Sequence, residues 1–340
     1  MLIPAKCTQC GSNLTVDSSQ DAAVCPFCNT PFVAEKAINN YNTTNNIKAD
    51  VVNVFQTKES DFIIRGGVLE KYIGENTEVC IPNNVVRVNE GAFKDCYGIT
   101  NVVFPNSVNF IGDCVFSNCT SLETVSLPEG LEKISLGLFS GCEQLKKVNI
   151  PHSVKSIEGS AFQHCESLSD ISMPDSISEI GGSAFLNCKK LKNIVVPEGV
   201  KSIRSKTFAN CSSLESVVLP NTLEEIENEA FKDCISLRNI NIPKSVKKIA
   251  HNYYDSLYEL QEYAPFENCK NLRTINGKTD PYEDLFGIAI KESFVGTPLF
   301  EVFHKHLVFV AKGKCRWCGG KFKGIMTKVC SVCNKKKDYR

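Results

Sequence analysis

The stretch PHSVKSIEGSAFQHCESLSDISM, residues 151–173, is one copy of a unit that returns along most of the chain. The skeleton of the unit is P-x-x-V-x-x-I-x-x-x-A-F-x-x-C-x-x-L-x-x-V-x-I, which is 23 residues long. Its cysteine recurs with this step at positions 96, 119, 142, 165, 188, 211 and 234. Its proline keeps the same step at positions 82, 105, 128, 151, 174, 197, 220 and 243. A fixed period of this length predicts a solenoid, in which each unit stacks on its neighbours to close one continuous core.

Two segments of each unit, V-x-x-I and L-x-x-V-x-I, are short, β-prone and separated by turn residues. In the second segment, alternation directs Leu122, Val125 and Leu127 to the core, and the proline that follows ends the strand. The A-F-x-x-C segment between the two forms a tight corner. The phenylalanines of this corner are predicted to form a stacked column: Phe93, Phe116, Phe139, Phe162, Phe185, Phe208, Phe231 and Phe266.

The residues predicted to point out of the main strand are small, mostly uncharged and never aromatic. They are Asn101, Val103, Thr124, Ser126, Lys147, Asn149, Asp170, Ser172, Asn193, Val195, Ser216, Val218, Asn239 and Asn241. None is an anchor of the Trp, Tyr or Arg type that dominates protein interfaces. The row suits contact with a protein or a glycan and singles out neither.

Two roles are open for the repeat cysteines: metal ligands or redox thiols, or a buried ladder of small side chains. Free cysteine is among the most buried residue types, and one cysteine per unit at one position is what a packing ladder requires. The packing role is therefore favoured. Cys80 and Cys114 lie outside the ladder positions, and the sequence assigns them no role.

The chain has 340 residues and no net charge, but its charge is unevenly distributed. Residues 311–340 carry ten Lys or Arg and one acidic residue, a balance of +9; residues 1–36 carry −1, which leaves −8 for residues 37–310. A preference for polyanions would therefore belong to the C-terminal tail. No apolar run approaches the ~20 residues that span a bilayer, and the start lacks the apolar core of a secretory signal. The expectation is a cytoplasmic protein without a membrane partner.

Residues 1–36 contain two C-x-x-C pairs separated by fourteen residues. The cysteines are Cys7, Cys10, Cys25 and Cys28. This spacing predicts a zinc ribbon with one tetrahedral, structural Zn²⁺, because four thiolates leave no open coordination position. A disulfide pair and a redox C-x-x-C are the alternatives, although a redox site needs a βαβ surround that is missing here. The segment 13–24 favours a small hairpin, and the Asn-rich residues 37–56 favour a linker.

Residues 57–81 contain two apolar runs around Gly66 and Gly67, which predicts a capping hairpin. The repeats follow over residues 82–276, and one of them carries twelve extra residues at about 250–263. The tyrosines of this insertion are Tyr253, Tyr254, Tyr258 and Tyr263. They are candidates for partner contact, since insertions in solenoids loop out on one face, or they pack back on the last turns.

Residues 277–310 are rich in large apolar side chains and break the period, which favours a partly helical C-terminal cap. His304 and His306 resemble a metal pair, but a cap or surface role is favoured.

Residues 311–340 form a second zinc-ribbon pattern, with eleven residues between its pairs. Its cysteines are Cys315, Cys318, Cys330 and Cys333. The tail also carries basic candidates for nucleic-acid contact: Lys321, Lys323, Lys328, Lys335, Lys336, Lys337 and Arg340. Basic side chains contact phosphates, and Trp317 and Phe322 are able to stack on bases. A solubilising terminus is the alternative.

The repeats resemble the BspA-type, or Treponema-type, leucine-rich repeat of bacterial proteins. The resemblance covers about residues 82–276 and rests on eight copies of the F-x-x-C corner. It implies a curved solenoid with a parallel sheet on one face and no helices of ordinary length on the other. Relatives are often surface-attached and bind host proteins or other cells; this chain departs from them in lacking an export signal and in having two cysteine ribbons. The ribbons resemble those at the ends of uncharacterised bacterial proteins.

The sequence thus predicts a mainly β protein: a leucine-rich-repeat solenoid of 23-residue units with a parallel sheet, flanked by two small zinc ribbons with two structural Zn²⁺. No Ser/His/Asp set, carboxylate pair or phosphate loop stands out, so the leading hypothesis is a non-enzymatic scaffold for an unidentified protein partner. No small-molecule substrate is implied. The alternatives are a nucleic-acid- or ribosome-associated adaptor acting through the basic ribbon, and a surface adhesin.

Overall fold

The computed structural model describes residues 58–249, 264–278 and 297–299, together with the backbone of six short strands near the two ends. The chain divides into two compact units, Met1–Lys58 and Glu59–Arg340. Within the described residues, no helix has both the length and the apolar character needed to cross a membrane.

The first unit contains four strands, which pair as two antiparallel hairpins. The strands are β1 (Leu2–Lys6), β2 (Asn13–Asp17), β3 (Ala22–Val24) and β4 (Pro31–Val33). β1 pairs with β2, and β3 pairs with β4. The prediction of a hairpin within 13–24 is therefore wrong. β2 and β3 do not pair with each other but with β1 and β4, which the sequence pattern did not identify as strands. Each connection inside a hairpin contains one C-x-x-C pair.

The second unit is a solenoid in which each turn contributes two short strands, except that residues 168–173 form no strand. The first set, row A, comes from the L-x-x-V-x-I segments: β7 (Glu78–Cys80), β9 (Asn101–Val103), β11 (Thr124–Ser126), β13 (Lys147–Val148), β16 (Asn193–Val195), β18 (Ser216–Val218), β20 (Asn239–Ile240) and β22 (Thr274–Ile275). The second set, row B, comes from the V-x-x-I segments: β8 (Arg87–Val88), β10 (Phe110–Ile111), β12 (Lys133–Ile134), β14 (Ser156–Ile157), β15 (Glu179–Ile180), β17 (Ser202–Ile203), β19 (Glu225–Ile226) and β21 (Lys248–Ile249). The structure confirms the mainly β solenoid and places parallel strands in two rows rather than one.

The pairing register equals the sequence period. Val125 of β11 pairs with Val102 of β9 and with Val148 of β13, one unit away in each direction. The step is interrupted once, where Ile240 of β20 pairs with Ile275 of β22. The twelve extra residues of that unit are therefore accommodated without loss of the register.

Row B is divided into three sheets, and each division follows a glycine. The breaks lie between β10 and β12 and between β15 and β17. Gly112, directly after β10, lies so close to the preceding turn that a Cβ there would be 2.6 Å from the Glu90 nitrogen. A Cβ on Gly181, directly after β15, would be 2.3 Å from the Gly159 nitrogen. At both glycines the backbone lies very close to the preceding turn. The strand that follows each glycine does not pair with the strand before it, so β12 is not paired with β10 and β17 is not paired with β15.

The core of the solenoid is the predicted column of phenylalanine rings, which the structure confirms. All eight rings are fully buried, and successive ring centroids are 5.2–5.6 Å apart in stacked geometry. Aromatic pairs at this separation add about 0.5–1.5 kcal/mol each to the burial of the rings. The column therefore ties every turn to the next along its whole length.

The N-terminal hairpin extends this column. It consists of β5 (Phe62–Arg65) and β6 (Val68–Tyr72), and a 3₁₀ turn, Glu59–Asp61, precedes it. β6 lies parallel to β8 of row B, while β5 forms the outer edge of that sheet. The Tyr72 ring stacks on Phe93 with centroids 5.1 Å apart, and the Phe62 ring packs on Tyr72 at 5.3 Å. The hairpin thus covers the first turn with aromatic rings.

At the other end, Leu299 is 1% exposed and belongs to the same hydrophobic core. The remaining strands are β23 (Phe322–Lys323) and β24 (Val329–Cys330), which form an antiparallel pair. The partly helical cap predicted for 277–310 lies outside the described residues, apart from 277–278 and 297–299.

The column predicts a large effect of removing one ring. Phe162→Ala should lower the free energy of unfolding by about 3–5 kcal/mol, because the cavity lies between two stacked rings. Phe162→Leu, which keeps most of the apolar volume, should cost clearly less. Urea denaturation of the full chain measures both, and equal losses for the two variants would contradict a role for the stacked rings.

Candidate interaction surface

The outward residues of row A form one continuous exposed strip. The prediction of their orientation is confirmed: all fourteen point away from the core, and only Asn101 and Val103 are half-buried. The inward residues of the same strands, such as Val148 and Ile194, are buried. Row A consists of three sheets, β7 to β13, β16 with β18, and β20 with β22. Within each sheet the alternation is in register, so the outward side chains of paired strands lie next to one another.

The C-terminal half of this strip contains two exposed valines among polar residues. Val195 and Val218 are register partners on β16 and β18, and they are 62% and 52% exposed. These are among the largest exposed fractions of any large apolar side chain in the described part of the chain. The two side chains form a small exposed apolar pair within a mostly polar strip.

The repeat cysteines form a buried ladder, as predicted, and each also donates a hydrogen bond. From Cys119 onward the ladder members are fully buried, whereas Cys96 at its first position is half-buried. Each buried thiol donates to the carbonyl oxygen of the phenylalanine in the preceding turn, at sulfur–oxygen distances of 3.0–3.2 Å. The cysteine therefore links neighbouring turns beside the aromatic column, a role that sequence spacing alone does not reveal.

Burial keeps these thiols protonated. It raises the pKa of Cys119 and of Cys211 to about 12, and it raises the pKa of Cys165 and Cys188 far above the ordinary range. Metal binding and thiol redox chemistry both require the thiolate. The ligand and redox roles left open by the sequence are therefore unfavourable for the ladder.

The structure gives positions to the two cysteines that the sequence left unassigned. Cys80 is half-buried on β7 and pairs with Val103 of β9. Cys114 is half-buried two residues before Phe116 and has a φ of 53°. The equivalent position in the next turn is Gly137, with a φ of 59°. Cys114 thus occupies a left-handed corner position that each turn requires for its tight bend.

A buried carboxylate was missed by sequence reasoning. The Glu229 side chain is 5% exposed and accepts from Lys206 at 3.1 Å and from Lys232 at 2.9 Å. Lys232 also pairs with Glu267, directly after the insertion, at 3.1 Å. Burial opposes the charge of Lys232, but the hydrogen bonds to both carboxylates outweigh it and raise its pKa. The sequence contained one signal of this unusual carboxylate. Glu229 occupies the left-handed corner position that glycine fills in other turns.

The remaining predicted site residues lie outside the part of the chain whose side chains are described. This applies to the zinc ligands Cys7, Cys10, Cys25, Cys28, Cys315, Cys318, Cys330 and Cys333. It applies equally to the tyrosines Tyr253, Tyr254, Tyr258 and Tyr263, and to the basic residues Lys321, Lys323, Lys328, Lys335, Lys336, Lys337 and Arg340. Cys330 and Lys323 have a described backbone, on β24 and β23. The zinc sites, the tyrosine contact and the nucleic-acid contact stay predictions.

The thiol ladder predicts a loss of stability at alkaline pH. The folded-state pKa of Cys211 lies above the value in the unfolded chain, so the unfolded chain loses its proton first and stability falls as pH rises above about 9. One such thiol contributes up to about 1.4 kcal/mol per pH unit until its folded pKa is reached.

Cys211→Ala should therefore show a shallower fall of the unfolding free energy between about pH 8 and 10 than the parent chain. At neutral pH the same variant should be less stable by about 1–3 kcal/mol, because the thiol hydrogen bond to the Phe185 carbonyl is lost and a small cavity is left; that carbonyl keeps the Cys188 N–H as donor. Urea denaturation at several pH values measures both effects. Ser213→Ala, a change outside the ladder, is the control, and identical slopes for all three chains would contradict the account of the ladder.

Comparison with known proteins agrees with this geometry. The sequence matches the family description "BspA type Leucine rich repeat region" in six copies, over residues 71–192 and 132–271. Among curated proteins, none matches the chain.

Two solved structures of bacterial leucine-rich repeat proteins are similar to this chain. The T. pallidum leucine-rich repeat protein TpLRR is 31% identical and has a TM-score of 0.50, and the match covers 53% of this chain and 90% of that one. A leucine-rich repeat protein from Bacteroides ovatus is 25% identical with a TM-score of 0.34, covering 59% of this chain and 72% of that one. Since the matched repeats span more than half of its residues, this chain belongs to the BspA-type leucine-rich-repeat family.

Proposed function

We propose that this protein is a non-enzymatic scaffold that binds a protein partner through the outward strip of row A. The observation that carries the proposal is the exposed pair Val195 and Val218, held in register within a rigid parallel sheet. Leucine-rich-repeat solenoids generally serve as protein-binding scaffolds, which supports the same role.

The strip suits a protein partner for two physical reasons. Its strands are fixed by the aromatic column and by the backbone pairing of consecutive turns, so little conformational entropy is lost when a partner docks. Its side chains combine an apolar centre with Asn, Ser and Thr around it, the usual arrangement of an apolar core with a polar rim.

The proposal predicts that two charges placed on the strip abolish partner binding. Val195→Arg/Val218→Arg changes only exposed side chains and should leave the unfolding transition unchanged. The immobilised full chain should capture a protein from a lysate of its source cells, and this variant should capture at least about tenfold less. Mass spectrometry of the captured material provides the measurement.

Val86→Arg/Leu136→Arg is the matched control. Both residues are exposed apolar side chains outside row A, at 44% and 46%, so the change in size and charge is the same. This variant should capture the same partner as the parent chain. Capture of no protein by the parent, or an equal loss in both variants, would overturn the proposed function.

We further propose that the two cysteine ribbons each hold one structural Zn²⁺. In the first ribbon, each C-x-x-C pair lies in the connection of an antiparallel hairpin, β1–β2 or β3–β4. In the second, β23 and β24 are antiparallel, so the start of β23, which follows Cys318, lies opposite Cys330 at the end of β24. Both backbone arrangements suit four thiolates around one metal ion, and Zn²⁺ would close each ribbon by tetrahedral coordination.

Metal analysis of the purified full chain tests the ribbons. We expect two Zn²⁺ per parent chain and one Zn²⁺ per chain of the variant Cys25→Ser/Cys28→Ser. The fourfold variant, which adds Cys330→Ser/Cys333→Ser, should contain no Zn²⁺. The reason is that a ribbon with only two thiolates binds the ion weakly. Cys80→Ser, on β7, should keep both ions. Two ions in the fourfold variant would contradict the assignment of the ligands.

A further inference from the structure

The charge of the solenoid changes sign along its length at one edge of row A. Each turn has an eight-residue segment that begins after the ladder cysteine and runs through the row A strand. In four turns these segments are 97–104, 120–127, 143–150 and 166–173, and they contain two basic and four acidic residues. In the next four turns they are 189–196, 212–219, 235–242 and 270–277, and they contain six basic residues and one acidic residue.

Five of the six basic residues in the last four segments have no ionic partner among the described residues. We call five of them the basic edge: Lys190, Lys192, Arg238, Lys270 and Arg273. All five are exposed, and in the described part of the chain none has a carboxylate within ion-pairing distance. Several other exposed lysines of the solenoid are paired across turns, as Lys146 is with Glu123 at 2.6 Å and Lys189 with Glu166 at 2.7 Å. Among the described residues, the basic edge is therefore a group of cations without a carboxylate partner.

The register places three of these cations in one line. Lys192, Arg238 and Arg273 directly precede β16, β20 and β22, at the same position of their units, and Glu215 holds this position before β18. The Glu215 N–H donates to the Lys192 carbonyl at 2.8 Å, and the Arg273 N–H donates to the Arg238 carbonyl at 2.9 Å. Paired strands of a sheet are about 4.8 Å apart, and this spacing applies to β16 with β18 and to β20 with β22.

Apolar side chains lie beside the line. Val195 and Val218 follow Lys192 and Glu215 by three residues on the same strands. Ile235, three residues before Arg238, is 41% exposed, and its carbonyl accepts from the Asn271 side chain at 2.7 Å. Cations and exposed apolar groups are thus combined on the last four turns of the solenoid.

From this combination we propose that the basic edge and the two valines bind an acidic peptide segment of a partner protein. The inference rests on the proposed function and names the surface and the partner's chemistry. In an extended peptide, every second side chain points the same way at a spacing of about 6.8 Å. Alternating acidic and apolar residues therefore point to opposite sides of such a peptide. A peptide that runs along the solenoid between the line of cations and the two valines would turn its carboxylates toward Arg238 and Arg273 and its apolar side chains toward Val195 and Val218. Arginine forms bidentate hydrogen bonds with carboxylates, which favours this contact.

The same observations favour a peptide over a nucleic acid. Glu215 interrupts the line of cations and would repel a continuous polyanion, whereas a peptide can place a neutral or basic residue there. The four segments contain no aromatic ring on which a base could stack.

The test uses the full chain and a fluorescein-labelled peptide of six alternating Glu-Val pairs. Fluorescence anisotropy at about 20 mM salt should show saturable binding that weakens at about 150 mM, because screening reduces charge attraction. Arg238→Glu/Arg273→Glu should weaken binding at least about tenfold. Lys155→Glu/Lys201→Glu makes the same change in net charge at exposed positions of the other side of each turn and should change binding less than about twofold. Thermal unfolding verifies that both variants are folded.

Three results would overturn the proposal: no binding of the peptide, no loss in Arg238→Glu/Arg273→Glu, or an equal loss in the two variants. A single-stranded RNA of equal charge is the competing probe. If the RNA binds more tightly than the peptide, and if Arg238→Glu/Arg273→Glu abolishes this RNA binding, the surface is a nucleic-acid site instead.

The proposed function is judged separately. Suppose that the parent chain captures a partner, that Val195→Arg/Val218→Arg loses it, and that Arg238→Glu/Arg273→Glu retains it. This result would support the scaffold function and would contradict a role of the basic edge in binding the partner.

Discussion

The whole solenoid depends on each phenylalanine ring stacking on its equivalent one unit away. The rings repeat at 5.2–5.6 Å, slightly more than the spacing of about 4.8 Å that backbone pairing imposes on neighbouring strands. The column therefore allows one register only, because a slip by one residue would move the ring out of the core and its polar neighbours into it. Both strand rows and the thiol ladder follow from this constraint. The same constraint explains why the unit with twelve extra residues still aligns Phe266 on Phe231.

A fold built in this way leaves little freedom for function at its recurring positions. The phenylalanine, the cysteine and the inward strand residues are buried and fully occupied by packing or hydrogen bonding. Variation is tolerated only where side chains face water, so recognition has to be encoded on the outward strip and its flanks. The last four turns make use of this freedom, since they combine Val195 and Val218 with a group of cations that have no carboxylate partner among the described residues. The fold thus acts as a frame that holds these groups at fixed spacing.

The strictly periodic features could be predicted from the sequence, and the features that depend on contacts between turns could not. The column of phenylalanines, the buried cysteines and the outward strip follow from spacing and alternation alone. Tyr72 was missed because it precedes Phe93 by 21 residues rather than 23 and comes from the hairpin instead of a repeat. The thiol hydrogen bonds were missed because the acceptor belongs to the turn before, 26 residues earlier in most units. The charge reversal at the basic edge becomes a surface property only when register places Arg238 beside Arg273.

Hydrogen exchange of the full chain, with and without the captured partner, tests whether the partner binds to the outward strip of row A. Amide protection reports which strands a partner covers, independently of any substitution. The account predicts that added protection is concentrated in segments 189–196, 212–219 and 235–242, which contain β16, β18 and β20. Added protection confined to row B or to the two cysteine ribbons, with none on these segments, would contradict it.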